Sequence, residues 1–502
     1  MALSSAVDAS AVARVVGIKT TFKDLRGGGI LFLPQRIALI GQGNTAAVYS
    51  TDKFQITSAS QAGNRYGFGS PIHLAAQQLL PVNGDGVGTI PVTVYPLEDD
   101  ESGVAAAGDI TPTASQTEAG AYIVRVNNID SEQFVIEADD TVADIVTAAT
   151  TAINAVLEMP VIATDATPGT STQIDLAAKW AGESGNDIFV EVLTPDTGAA
   201  TFAVTQPTGG LVNPSVQPAL DQVGNVWETM FLNCLNYDDT AALDAISTFG
   251  EGRWGALTRK PMVSFVGNTE TTVADAISVS DTRKTDRTNA QLVAPGSNDL
   301  PLVVAARQLA RIAPVANNNP PRDYGSRQAT GLNPGADGVQ WTYPQRDQAV
   351  KGGSSTIEVK DGVVNLSDTV TFFHPTGDPI PAYRYVCDIV KLQNIIFNLD
   401  LIFATPEWDG APLIPDDQPT VNRSAKQPKA AVAAVAAMID SLALNALISA
   451  PEAAKEATQA AINDQNPKRL DLVTTVQLSG NTNILSVDLD FGFYFGTQPL
   501  AA

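Results

Sequence analysis

The residues whose types and spacing could do chemistry lie near the start of the chain. Ile40-Gly41-Gln42-Gly43-Asn44-Thr45-Ala46 matches the pattern Gly-x-Gly-x-x-Ala. In dinucleotide-binding folds such a turn lets the backbone approach a pyrophosphate, provided that a helix follows directly and an acidic residue about 20 positions on holds a ribose hydroxyl. After Ala46 the helical pattern is weak, and Thr57-Ser-Ala-Ser-Gln-Ala-Gly63 contains no acid. Both context tests fail, so the glycines read as a strand-ending turn and no cofactor is expected. The other chemical residue types are sparse. The two histidines, His73 and His374, have no nucleophile or base beside them, and each reads as structural. Cys234 and Cys387 are far apart and lack metal-ligand spacing, which excludes a disulfide framework and points to small buried apolar residues. The acidic runs Asp99-Asp100-Glu101, Asp139-Asp140 and Asp416-Asp417 read as solvated loops, with a cation site as the alternative. There is no Walker loop, no His-Glu-x-x-His and no Cys-x-x-Cys.

The elements that carry these residues are clearer than the chemistry. Arg36-Ile-Ala-Leu-Ile-Gly41 is short and β-branched enough to be a buried strand. In the segment opened by Tyr66-Gly-Phe-Gly, Ser70 supplies an N-cap and Pro71 the first helical position, where a missing N–H costs nothing. Ile72, Ala75, Ala76 and Leu79 then share one helical face. Thr89-Ile-Pro-Val-Thr-Val-Tyr95 is a second strand. Strand, helix and strand at this spacing make a βαβ unit, which needs a larger sheet to complete it.

Length and composition bound the rest. A chain of 502 residues is long enough for about three domains with buried cores. Acidic residues number 54 against 30 basic, a net charge of −24, and such a surface repels phosphate backbones. Direct nucleic-acid binding is not expected. The N-terminus lacks a signal-peptide pattern. The apolar run from Ala430 to Ala450 is mostly alanine and carries Asp440, so it reads as a packed helix and no membrane insertion is expected.

The fold class expected is α/β and α+β, multidomain. Residues 1–30 read as an extended arm in which Ala13–Ile18 is one strand without a local partner, detached by Gly27-Gly-Gly29, with a flexible tail as the alternative. Residues 31–98 with 214–340 form a core α/β domain. There the expected elements are strands at 225–233, 261–266 and 291–294, helices at 239–249 and 300–313, and a helical turn or two at 274–283; Pro314 ends the last helix. Residues 99–213 are an inserted, β-rich module, thin in large apolar residues, with strands at 122–126, 133–137 and 188–192 and a helix at 141–155. Residues 341–502 form a C-terminal α+β domain. It opens with a hairpin around Asp361-Gly362, followed by a strand at 369–373 and helices at 383–399 and 429–448. Ser449 with Glu452 offers a capping box for a third helix, and the domain ends on strands at 471–478 and 483–495.

Several of these stretches resemble one family. Ile37-Ala-Leu-Ile-Gly41, then Phe54-Gln-Ile-Thr-Ser58, then Gly67-Phe-Gly-Ser70 opening a helix are similar to the contractile-tail sheath proteins of bacteriophages, closest to those of Mu-like phages. Pro314-Val-Ala-Asn-Asn-Asn-Pro-Pro321 resembles the family segment after the long helix, and the order hairpin, Tyr383-Arg-Tyr385 helix and terminal strands resembles its C-terminal domain. The resemblance implies a structural protein rather than an enzyme, and a homo-oligomer built as an open helix around a tail tube protein. It also implies baseplate and tail terminator partners, assembly in the host cytoplasm and a final location in the virion tail. It casts the inserted module as a surface decoration, and because that module is thin in large apolar residues and interrupts a domain that resumes after it, it is expected to be dispensable for polymerisation. Sheath cores have been likened to subtilisin-type hydrolases, but the nearest string to that nucleophile turn, Gly169-Thr-Ser-Thr-Gln173, lacks its alanine. The rivals are a nucleotide-dependent or hydrolytic enzyme using Gly41 and Gly43, and another tail component such as a tube or baseplate protein.

A helical lattice that rearranges needs subunits that stay linked while their packing changes, and strands added to a neighbour's sheet provide this. The residues expected to form that linkage are Arg14, Val15, Val16 and Ile18 at one end. At the other they are Leu472, Val473, Val476, Leu485, Val487, Leu489 and Phe491. Arg423, Lys426 and Lys429 cluster at the start of a helix in an otherwise acidic chain; they read either as a solvated helix entrance or as the tube-facing residues, where complementary charge would fix register.

Overall fold

The computed structural model describes residues 29–112, 119–194, 200–378 and 381–493. Arg14, Val15, Val16 and Ile18 lie outside the described residues. The chain divides into two compact units, Phe32–Phe397 with Gln477–Ala502, and Asn398–Val476 with Met1–Leu31.

The larger unit is built on a mixed sheet, the eight strands of which are β1 (Ile37–Gln42), β2 (Phe54–Ile56), β3 (Val92–Leu97) and five more from beyond the insertion. The insertion itself contributes β4 (Ala107–Pro112), β5 (Gly120–Val126), β6 (Ile129–Asp130), β7 (Phe134–Ile136), β8 (Val161–Thr164), β9 (Ile174–Ala178), β10 (Val190–Leu193) and β11 (Phe202–Thr208) to two small sheets of its own. The main sheet resumes with β12 (Met230–Asn233), β13 (Val263–Asn268), β14 (Asn289–Val293), β15 (Ser355–Lys360) and β16 (Val363–Asp368), in the order β16-β15-β14-β13-β12-β1-β3-β2. The six inner strands run parallel, with Ile37 paired to Val92 on one side and Met230 on the other. The edge strands β2 and β16 are antiparallel to their neighbours.

Strand periodicity explains why both faces of this sheet are covered. Ile37 and Leu39 of β1 pack into one buried cluster, whereas Ala38 and Ile40 pack into another on the opposite face. On the first side lie the helices Pro71–Leu79 and Pro301–Asn318. On the second lie Gln217–Val223 and Thr240–Arg253, which contribute Leu220 and Ile246 to the cluster. Ser70 caps Pro71–Leu79 as its sequence dictates, its Oγ accepting the His73 N–H at 3.3 Å. Gly267 is required where β13 meets the long helix, because a Cβ there would stand 1.7 Å from the Pro301 carbonyl oxygen. That helix passes through Pro314 and ends only at Asn318, so the expected stop at the proline is corrected. Proline forfeits one hydrogen bond near the helix end, and burial of Ile312, Ala313 and Ala316 outweighs that loss.

Three other expectations change. The hairpin assigned to the C-terminal domain is the far edge of the main sheet, with Leu292 of β14 paired to Ser355 of β15. The core therefore extends well beyond residue 340. Its turn is as the sequence predicts: Asp361 (φ 51°) and Gly362 (φ 76°) both adopt the positive φ that a tight hairpin requires. Residues 369–373 form no strand but a single bridge, Val370 to Tyr385. The helix expected at 383–399 is Val386–Phe403.

The insertion is not a loosely attached decoration. Its helix Val142–Ala155 carries a capping box between Thr141 and Asp144, and its buried residues Tyr122, Ile145, Met159 and Trp180 join the same cluster as Ile37 and Leu39. Tyr122, Ile145, Met159 and Trp180 thus point into a core shared with the main sheet, whereas Leu157, Val135 and Leu211 stay exposed.

In the smaller unit the helix Pro428–Leu444 buries Val435, Met438, Ile439 and Leu442. Beside it the strands Gln459–Ile462 and Leu470–Val473 form a two-stranded antiparallel hairpin. The short helix Pro451–Ala457 starts from Ala450 at φ 50° with no side-chain cap, so the expected Ser449–Glu452 capping box does not form. The terminal strands are also corrected. Among the described residues the last strand ends at Leu478, and residues 479–493 adopt no regular structure.

Candidate functional site

In open α/β sheets, ligands bind beyond the carboxyl ends of the strands, where the order of connection reverses. Here that point lies at β1, between β3 and β12, and it is closed. Gln42 Nε2 donates to Asp99 Oδ1 and to the Ala181 carbonyl oxygen, each at 2.6 Å. The Thr45 N–H donates to the Lys179 carbonyl at 2.8 Å. Gly43 is small because Tyr49 occupies the space above it: a Cβ there would stand 2.3 Å from the ring, and the Gly43 N–H donates to Tyr49 Oη at 3.1 Å. A Cβ at Gly41 would touch Cys234 at 3.0 Å. The next helix, Ala59–Tyr66, begins well after the glycines. Nothing in this turn offers free N–H groups to a pyrophosphate, so a dinucleotide does not fit.

The remaining chemical residues are engaged structurally. His73 is buried, its Nδ1 accepting the Gly69 N–H at 3.2 Å and its ring edge-on to Phe68 at 4.9 Å. Burial lowers its pKa to about 4. His374 Nδ1 lies 2.6 Å from the Phe372 carbonyl oxygen, and Nε2 lies 3.4 Å from Asp281 Oδ1. Burial pushes both cysteine thiols far up, which makes them inert as nucleophiles. Ser171 of the Gly169–Gln173 string donates to Asp165 and accepts the Thr167 N–H at 2.9 Å, closing a turn. Asp100 accepts from Ser102, Asp140 accepts the Glu137 N–H, and Asp416 accepts the Lys429 N–H. Among the described residues, no group of three or more His, Cys, Asp or Glu could hold a metal ion, and no helix is long and apolar enough to cross a membrane.

The expected linkage residues of the C-terminal tail are the feature that stands out. Leu485, Val487, Leu489 and Phe491 are 80%, 72%, 81% and 85% exposed, with Asp488 and Asp490 between them. Their alternation is that of a strand with one apolar face, yet no strand pairs with them within the described chain. The tail is tied at its root. The buried Lys391 of the helix Val386–Phe403 donates through Nζ to the Ser479 carbonyl oxygen and Asn481 Oδ1, both at 2.6 Å, and to Asp388 Oδ1 at 2.9 Å. Asn481 Nδ2 in turn donates to the Pro321 carbonyl oxygen at 2.8 Å. Nothing in the sequence marks Lys391, since a single lysine inside a helix ordinarily faces water. Leu472 and Val473 lie in the hairpin strand Leu470–Val473, and Val476 follows it.

The three expected tube-facing residues are not equivalent. Arg423 is exposed. Lys426 is drawn inward, 3.1 Å from Glu407 Oε2 and over the Trp408 ring at 5.1 Å. Lys429 Nζ donates to the Asp416 carbonyl oxygen at 2.7 Å. Two of the three thus brace the loop between the unit's helices.

The larger unit thus combines a doubly wound α/β core, with the crevice at β1 filled by its own side chains, and an exposed segment of alternating apolar residues. Comparison with known proteins agrees with the resemblance read from the sequence. The chain is 24% identical over 365 residues to the Mu-like prophage FluMu tail sheath protein of Haemophilus influenzae, covering 71% of this chain and 72% of that one. Among solved structures it is similar to a sheath tail protein from Listeria innocua, with 12% identity, a TM-score of 0.48 and coverage of 90% of this chain and 94% of that one. It is also similar to the sheath complex of an extracellular contractile injection system in the contracted state, with 9% identity, a TM-score of 0.46 and coverage of 96% and 98%. No family model matches the chain.

Proposed function

We propose that this chain is the structural subunit of a contractile tail sheath, which polymerises helically around a tail tube and contracts to drive the tube through a host envelope. The observation that carries the reading is the exposed alternating run Leu485, Val487, Leu489 and Phe491. An unpaired apolar strand is a hazard in a monomer and a docking element in a polymer. Burying side chains of this size is worth about 1.5–3 kcal/mol each. Fixing the backbone costs about 1–2 kcal/mol per residue. The two totals are similar, so such a link is reversible singly and strong only when repeated along a lattice.

The hairpin Gln459–Ile462 with Leu470–Val473 is a sheet of two strands, and sheets that small need further strands or a packed face for stability. It is the proposed acceptor for strands from neighbouring subunits, including the N-terminal segment containing Arg14, Val15, Val16 and Ile18. The proposed partners are further copies of this chain, a tail tube protein, and baseplate and terminator proteins, with the virion tail as the final location. The acidic surface, net −24, keeps a large assembly soluble.

Electron microscopy of the purified protein tests the reading: hollow contracted tubes are expected. Deleting residues 1–26, or introducing Val16→Pro to remove a ladder donor, is expected to leave a folded subunit that forms no long tubes. Stable contracted sheaths from the truncated protein would make the N-terminal segment a mere tail.

A further inference from the structure

We propose that Lys391 is the root of the C-terminal arm, a positioning residue that fixes where the strand 485–493 leaves the subunit and so allows it to reach a neighbouring copy. The inference rests on the sheath reading above. A lysine at 0% exposure is unusual, because an ammonium must be compensated by several acceptors before it is tolerated inside a protein. Here two of the three acceptors, the Ser479 carbonyl oxygen and Asn481 Oδ1, belong to the terminal segment rather than to the helix that carries Lys391. Cys387, one turn earlier on the same helix, places its Sγ 3.6 Å from the same Asn481 oxygen. Asn481 is further held by the Pro321 carbonyl. The tail is therefore pinned at 479–481, and the described residues 482–493 have no regular structure.

The distance along the chain gives this pin its purpose. Three residues, 482–484, separate Asn481 from Leu485. An extended span of that length reaches about 10 Å. A short tether holds the strand at a high effective concentration near an acceptor, whereas a free terminus samples a far larger volume. The Asn483 N–H donates to the Asn481 carbonyl oxygen at 3.0 Å, which shortens the tether further. Lys391 thus restrains the base of the link, and the exposed residues Leu485, Val487, Leu489 and Phe491 are the ones it presents to a neighbour.

The test uses the full-length chain and three variants. Lys391→Met keeps the aliphatic stem and removes the three-way donor, while Asp388 remains partly solvated. Asn481→Ala removes only contacts on the tail side, and covers the case in which Lys391→Met fails to fold. Deletion of 484–502 removes the arm itself. Both substitutions are expected to give folded monomers with amide hydrogen exchange faster across 477–484 than elsewhere in the chain, and at least a tenfold loss of long tubes by electron microscopy. The deletion is expected to abolish tubes altogether. If the deletion abolishes tubes while the folded variants assemble like the parent chain, the role of Lys391 is overturned and the sheath reading stands. If the deletion itself leaves normal tubes, the arm reading fails and this proposal with it.

Discussion

At the scale of single residues, the glycine pattern near Gly41 shows how space decides function. Gly43 is needed for the ring of Tyr49, whose hydroxyl accepts the Gly43 N–H and donates to the Leu97 carbonyl at 2.9 Å. Gly43→Ala would push that ring out and break both bonds, and overpacking of this kind costs about 1–3 kcal/mol. Chemical denaturation is expected to show that loss in the parent background and little of it in a Tyr49→Ala background, where the space is already free. Equal losses in both would show that the ring is not the obstacle.

His73 gives a prediction about pH. Its folded pKa, about 4, lies below the ordinary 6.5, so between those values the unfolded chain takes up a proton that the folded one does not. The stability that neutral His73 contributes is full above pH 6.5 and lost as pH falls towards 4, up to about 3 kcal/mol. Burial moves Asp187 up to about 7 and Asp299 up to about 6, and both contribute in the opposite sense as pH falls. The difference between parent and His73→Gln isolates the histidine. The variant is expected to gain relative stability between pH 7 and pH 4.5; a constant difference across that range would contradict the burial argument.

At the scale of elements, the insertion and the core depend on each other. Lys179 and Ala181 of the insertion supply acceptors to Thr45 and Gln42 of the core, and Asn127 Nδ2 donates to the Asn298 carbonyl at 2.8 Å. Gly69 is tight against the Met159 carbonyl, 2.1 Å from where a Cβ would stand. Replacing residues 99–213 by a short Gly/Ser linker would expose the shared apolar cluster and leave Gln42 without its partners. The expected product is insoluble or unfolded, in contrast to the dispensable module expected from its thin apolar sequence. A soluble deletion protein that still forms tubes would restore the decoration view.

At the scale of the whole molecule, the tube-facing proposal narrows to one residue. Reversing Lys426 and Lys429 would break the brace to Glu407, Trp408 and Asp416, and so confuse a binding effect with a local fold effect. Arg423→Glu alone avoids this. It is expected to weaken assembly of the sheath on a tail tube while leaving empty sheath polymers intact, and unchanged tube loading would favour a solvated loop.

The sequence by itself determined the βαβ start, the buried parallel strands, the Ser70 cap and the Asp361-Gly362 turn, because each depends on neighbours within a few residues. It also made the alternating tail legible, since a period of two survives whether or not a partner strand is present. Only the tertiary structure decided that β15 and β16 complete the core sheet, because strand pairing across Leu292 and Ser355 leaves no local mark. The same holds for the closure of the β1 crevice by residues from the insertion, and for Lys391, which meets its acceptors about 90 positions away in the chain. Contacts of that range are fixed by packing and by the need to satisfy buried polar groups, and neither is written in any one stretch of sequence.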